Sequence, residues 1–126
     1  MKIVTGVCLL LILVAGCKDP ASTTTAPPTE IQGRLDAALA MKGDTARHNA
    51  LVKLAQDAAE AGDAYVVLKA IEAVDAGTAR DNTCAICSEA LARMGKTAEA
   101  MAVAKQISNE TARNNTLSKI TSGVSE

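Results

Sequence analysis

Tryptophan and phenylalanine are absent from the 126 residues, and Tyr65 is the only aromatic side chain. A core without rings has to be assembled from Ala, Leu, Val and Ile, which suits closely packed helices with small side chains between them. Histidine is as scarce: His48 stands alone, and one imidazole with two thiols is too few ligands for a structural zinc. Neither sign of charge dominates, with 13 basic against 14 acidic residues. No basic patch forms, so nucleic acid is not expected as a partner. Glycine-rich phosphate loops, nucleophile elbows and HExxH motifs are all missing. The sequence therefore points away from an enzyme: it predicts no catalytic residue, no metal ligand and no cofactor. The longest apolar run, Ile3 to Val14, falls well short of the roughly 20 residues a spanning helix needs.

That run has a different use. MKIVTGVCLLLILVAGC, residues 1–17, starts with one Lys, continues apolar and ends in small residues before a cysteine, the layout of a secretion signal. Leu13-Val14-Ala15-Gly16-Cys17 resembles the lipobox of bacterial lipoproteins. The resemblance implies that residues 1–16 are a signal peptide and that the sulfur of Cys17 carries a diacylglycerol. It also implies a membrane partner through the lipid anchor. Lys18 rather than Asp after the cysteine implies, in a Gram-negative cell, the periplasmic face of the outer membrane. Acyl chains contribute about 0.8 kcal/mol per buried CH₂, so two or three of them hold a protein on a bilayer without spanning it. Residues 17–30 then read as the lipidated cysteine and a Thr/Pro-rich tether, KDPASTTTAPPTE from 18 to 30, with no apolar periodicity to bury. Extended at roughly 3.3–3.6 Å per residue, it reaches about 40 Å.

Residues 31–126 are organised by an internal repeat. Thr-Ala-Arg occurs at 45–47, 78–80 and 111–113, an offset of 33, and is followed each time by an asparagine, Asn49, Asn82 and Asn115. At this offset Leu51, Cys84 and Leu117 coincide, as do Leu54, Cys87 and Ile120, Ala58 and Leu91, and Gly62 and Gly95. The second halves agree too, with Leu68 over Met101, Ile71 over Ala104 and Val74 over Ile107. Apolar spacings of 3, 4 and 7 predict an amphipathic helix in each half, with the repeated glycine at the turn. Thr45, Thr78 and Thr111 are placed as N-caps. Residues 31–43 align with a second helix, Leu35, Ala38 and Met41 falling over Leu68, Ile71 and Val74. Six helices are expected: a lone second helix, two complete hairpins and a lone first helix.

The pattern resembles the tetratricopeptide repeat and its near relatives across roughly residues 31–122. Leu51, Leu54, Ala55, Ala58, Val67, Ile71 and Val74 fall on that family's core positions. The family's aromatic residues and closing proline are missing, and the period is 33 rather than 34. The resemblance implies an all-α fold, a short right-handed α-solenoid of antiparallel helical hairpins, that binds a protein or peptide rather than catalysing a reaction.

Cys84 and Cys87 occupy positions that are Leu51 with Leu54 and Leu117 with Ile120 in the flanking repeats, which predicts small buried hydrophobes. Two other readings stay open, a disulfide in an oxidising compartment and a thiol redox pair. His48, where the other repeats carry Asp81 and Asn114, reads as a solvated first-turn residue, and Asp57, Glu60 and Glu72 as exposed, solubilising carboxylates. Arg47, Arg80 and Arg113 lie at the edge of the apolar stripe, stems buried and heads wet. At 100° per residue, Asn49, Lys53 and Gln56 oppose that stripe, with Asn82, Ile86 and Glu89, then Asn115 and Lys119, as equivalents. These eight residues form the candidate partner-binding face. Self-association is the alternative: the last hairpin lacks its second helix, so another copy could complete the C-terminal edge.

Overall fold

The computed structural model describes residues 28–123. The signal segment, Cys17 and most of the tether lie outside them. Among the described residues the chain is all-helical: α1 Pro28–Ala40, α2 Asp44–Glu60, α3 Ala64–Ala73, α4 Thr78–Arg93, α5 Thr97–Ala104 and α6 Glu110–Thr121. These are the six helices the repeat predicts, in the expected order. None is long and apolar enough to cross a membrane.

The two hairpin turns share one construction. At the end of α2, Gly62 N–H donates to Ala59 O and Asp63 N–H to Ala58 O; at the end of α4, Gly95 N–H donates to Ala92 O and Lys96 N–H to Leu91 O. Reversing the chain this way needs a left-handed residue, and Gly62 and Gly95 supply it at φ 74° and 77° without the Cβ clash other residues would meet. Asp63 then caps α3 by accepting from Val66 N–H at 3.1 Å.

The predicted threonine caps are wrong by a residue or two. The N-cap positions of α2 and α4 are Gly43 and Gly77, and that of α6 is Asn109, whose side chain accepts from Ala112 N–H. Thr78 opens α4, and Thr45 and Thr111 lie second in α2 and α6. The amide oxygen of Asn109 reaches the free donor first, and at Gly43 and Gly77 the turn backbone, with no side-chain bond, sets where the helix begins. Helix α1 begins three residues before the helical segment expected from residue 31. Pro28 is the first residue of α1, a position where its missing N–H removes no helical bond.

Packing follows the repeat. α2 touches α4 and α4 touches α6, while α1 touches α3 and α3 touches α5; the hairpins α2/α3 and α4/α5 tie the two rows together. The core runs between the rows through Ile31, Leu35, Leu51, Leu54, Val66, Val67, Ile71, Leu91, Val103, Ile107 and Ile120, with Ala55, Ala58, Ala59, Ala70, Ala100 and Ala104 buried among them. Those alanines let backbones approach closely, and fill the space that aromatic rings would otherwise take. Thr83, Ser88 and Thr116 are buried with them, and each hydroxyl donates to the carbonyl four residues back, those of Ala79, Cys84 and Ala112. Their polarity is thereby satisfied within their own helix.

One core expectation fails at the edge. Met41 aligns with Val74 and Ile107, which are 2% and 1% exposed, yet it is 40% exposed. α1 ends at Ala40 and is the first helix of its row, so nothing described covers the position that a preceding helix covers elsewhere.

The contrast between core and edge is measurable. Leu54→Ala, at a position 2% exposed, is expected to lower unfolding free energy by about 2–5 kcal/mol. Leu39→Ala, at a position 46% exposed, should change it by no more than about 0.5 kcal/mol. Chemical denaturation of the two variants checks both.

Candidate interaction surface

Helical periodicity places Asn49, Lys53, Asn82, Ile86, Asn115 and Lys119 at exposed positions of α2, α4 and α6, and Gln56 and Glu89 at half-buried ones. All eight sit on the row of first helices, away from the stripe formed by Leu51, Leu54, Cys84, Cys87 and Ile120. Asn82 and Asn115 line the same groove, about 450 Å³ between the N-terminal ends of α4 and α6, together with Thr78, Asp81, Asn109, Thr111 and Ala112. Asn49 does not line the corresponding space between α2 and α4, where the walls are Asp44, Thr45, His48 and residues 75–79.

Several members of the face are engaged with neighbours. Lys119 Nζ lies 2.9 Å from Glu89 Oε1, an ion pair from α6 to α4. Lys53 pairs with Asp57, and Arg34 of α1 reaches the other oxygen of the same carboxylate at 2.7 Å. Asp57 is thus more than a solubilising residue, because it ties α1 to α2. Exposed pairs of this kind contribute about 0–1 kcal/mol each, and their main effect is to fix how adjacent helices sit. Burial pushes the Asp57 carboxyl up, but hydrogen bonds and charge from Lys53 and Arg34 outweigh it and hold its pKa below the usual 3.8. Ile86, at the position held by Lys53 and Lys119 in the flanking repeats, is 50% exposed. It is an apolar surface between two charged equivalents.

Sequence reasoning missed the role of Asp81. Its carboxylate accepts from Ser108 N–H at 2.8 Å and from Asn109 N–H at 3.0 Å, clamping the connector that leads into α6. The Ser108 bond is the main reason its pKa falls below 3.8. The only advance signal was that residue 81 is acidic where the other repeats carry His48 and Asn114. His48 faces the equivalent connector, beside Asp44 and Asp75. The three repeated arginines are part-buried. Arg113 donates to Ile107 O at 3.1 Å and Arg47 lies 3.6 Å from Asp44, whereas Nε of Arg80 is buried without a partner.

Cys84 and Cys87 are free thiols, both 0% exposed. No disulfide joins them in this structure. In an unbroken helix, side chains three apart have Cβ atoms about 5–6 Å apart, whereas a disulfide needs about 3.5–4.5 Å. Burial pushes the Cys84 thiol up to about 11 and the Cys87 thiol up to about 12, so neither offers a thiolate near neutral pH. Among the described residues, no group of three or more His, Cys, Asp or Glu side chains could hold a metal ion. Tyr65 and Met94, 57% and 54% exposed, add apolar surface that the sequence did not single out.

Comparison with protein-family models, curated proteins and solved structures finds no match to this chain.

The two depressed carboxylates set a pH dependence. Because Asp57 and Asp81 have lower pKa values folded than free, their contribution to stability is complete above about pH 4 and is lost as pH falls through the folded values. Asp57→Asn and Asp81→Asn should each lower stability at neutral pH and flatten its decline below pH 4 relative to the parent, as read from denaturation midpoints across that range.

Proposed function

We propose that the chain is a bacterial envelope lipoprotein whose helical domain is an interaction scaffold for a protein or peptide partner. In this reading the domain is a short right-handed α-solenoid of tetratricopeptide-like hairpins, held to the membrane through Cys17. Its working surface is the row of first helices, with Asn49, Asn82 and Asn115, the pair Glu89–Lys119, and Ile86 at its centre. A single observation carries the choice of face: in a row of repeat-equivalent positions, the central helix replaces lysine by an isoleucine that is 50% exposed. Apolar contacts rimmed by polar groups are the usual centres of interfaces. The asparagines at the rim supply amide donors and acceptors suited to peptide backbone.

Self-association through the C-terminal edge has less support. The exposed positions of α6 are Glu110, Thr111, Asn114, Asn115, Ser118, Lys119 and Thr121, all polar, and Ile120 is already 5% exposed. A polar outer face is what a terminal helix needs to stay soluble.

Two experiments test the proposal separately. Ile86→Lys, which makes the central repeat match its neighbours, should leave helicity and melting temperature unchanged while weakening partner capture by about tenfold, or ~1.4 kcal/mol. A variant that folded and captured partner normally would remove this face from consideration. Independently, Cys17→Ser should abolish incorporation of labelled palmitate and leave the chain unprocessed or soluble; persistent labelling would contradict the anchor.

A further inference from the structure

We propose that Cys84 and Cys87 form a redox gate on the fold: the dithiol is sealed from oxidants once α4 is packed, and its disulfide form does not build the helical domain. This goes beyond the interaction surface and does not rest on it.

Three observations meet at this pair. Both side chains are 0% exposed and belong to the central core, at positions filled by Leu51 and Leu54 one repeat earlier. Joining the two sulfurs would withdraw both from the space they fill. They also lie in the middle of a helix unbroken from Thr78 to Arg93. Closing their Cβ atoms from about 5–6 Å to about 3.5–4.5 Å therefore means distorting a regular turn. Finally, α4 packs against α2, α3, α5 and α6, so a distortion there disturbs every neighbour.

The chemistry balances with a disulfide as oxidant. A small-molecule or protein disulfide accepts two electrons and two protons and becomes two thiols, while one S–S bond forms between the Sγ atoms of Cys84 and Cys87. Exchange begins with a thiolate that can reach the oxidant. Burial denies both access and ionisation, so the folded chain resists. The unfolded chain has neither protection, and a pair with only two residues between its members closes readily. The order of events then decides the outcome: a chain that folds first keeps its thiols, and one oxidised first cannot complete its core.

The test uses the full chain in detergent with Cys8→Ser and Cys17→Ser, so that only the two core thiols remain. Glutathione disulfide is added to the folded protein and, separately, to the protein in denaturant, and thiol loss is followed by mass. Oxidation of the folded form should be slower by about 100-fold or more. After denaturant is removed, the oxidised chain should recover less than half the helicity of the reduced chain, and a reductant should restore it. The Cys84→Leu, Cys87→Leu chain in the same background should refold equally with or without oxidant. Recovery of full helicity and an unchanged melting temperature by the oxidised chain would overturn the proposal, as would equal oxidation rates for folded and unfolded protein.

Discussion

The packing of α4 is the constraint on which the rest depends. It touches four of the five other helices, yet its buried face is Thr83, Cys84, Cys87, Ser88, Ala90 and Leu91, with Leu91 the one large aliphatic among them. Small side chains let neighbouring backbones come close, and the two buried hydroxyls are satisfied within the helix, so the close approach leaves neither hydroxyl stranded. The absence of Trp and Phe is then consistent with the architecture: a ring at Cys84 or Ser88 would hold the rows apart. The same economy of volume leaves the central helix little tolerance for change, which is why two ordinary core thiols acquire a consequence.

Much of this architecture was readable in advance because the repeat transmits it. A 33-residue offset fixed six helices, two glycine turns and the buried columns through Leu51, Leu54, Ile71 and Val74, all of which are 2% exposed or less. The helix starts were less legible. Thr-Ala-Arg looks like a capped first turn, but a threonine at the first or second helical position gives the same signature as one at the cap, and the cap went to Gly43, Gly77 and Asn109 instead. Met41 shows the other limit. Its repeat position says core, whereas its place at the end of a row leaves it uncovered.

The candidate surface was legible as exposure and illegible as connection. Periodicity alone puts Asn49, Lys53, Asn82, Ile86, Asn115 and Lys119 on the outside. It cannot show that Glu89 meets Lys119 across 30 residues, that Arg34 meets Asp57 across 23, or that Asp81 clamps backbone 27 and 28 residues on. Those contacts depend on how one hairpin sits on the next, which is set by side-chain volumes and not by pattern. They also divide the surface: Glu89 and Lys119 join α4 to α6 and Lys53 is engaged with Asp57 on its own helix, leaving Ile86, Asn82 and Asn115 freer to meet another molecule.

In the proposed function a partner docks on this row of first helices. Photo-crosslinking in intact cells tests it most directly, with a photoreactive residue placed in turn at positions 82, 86 and 115, and at positions 39, 72 and 105 on the second-helix row. Docking on this face should give the same discrete crosslinked product from the first set, strongest at 86, and none from the second. Crosslinking confined to the second set, or equal at all six positions, would contradict it.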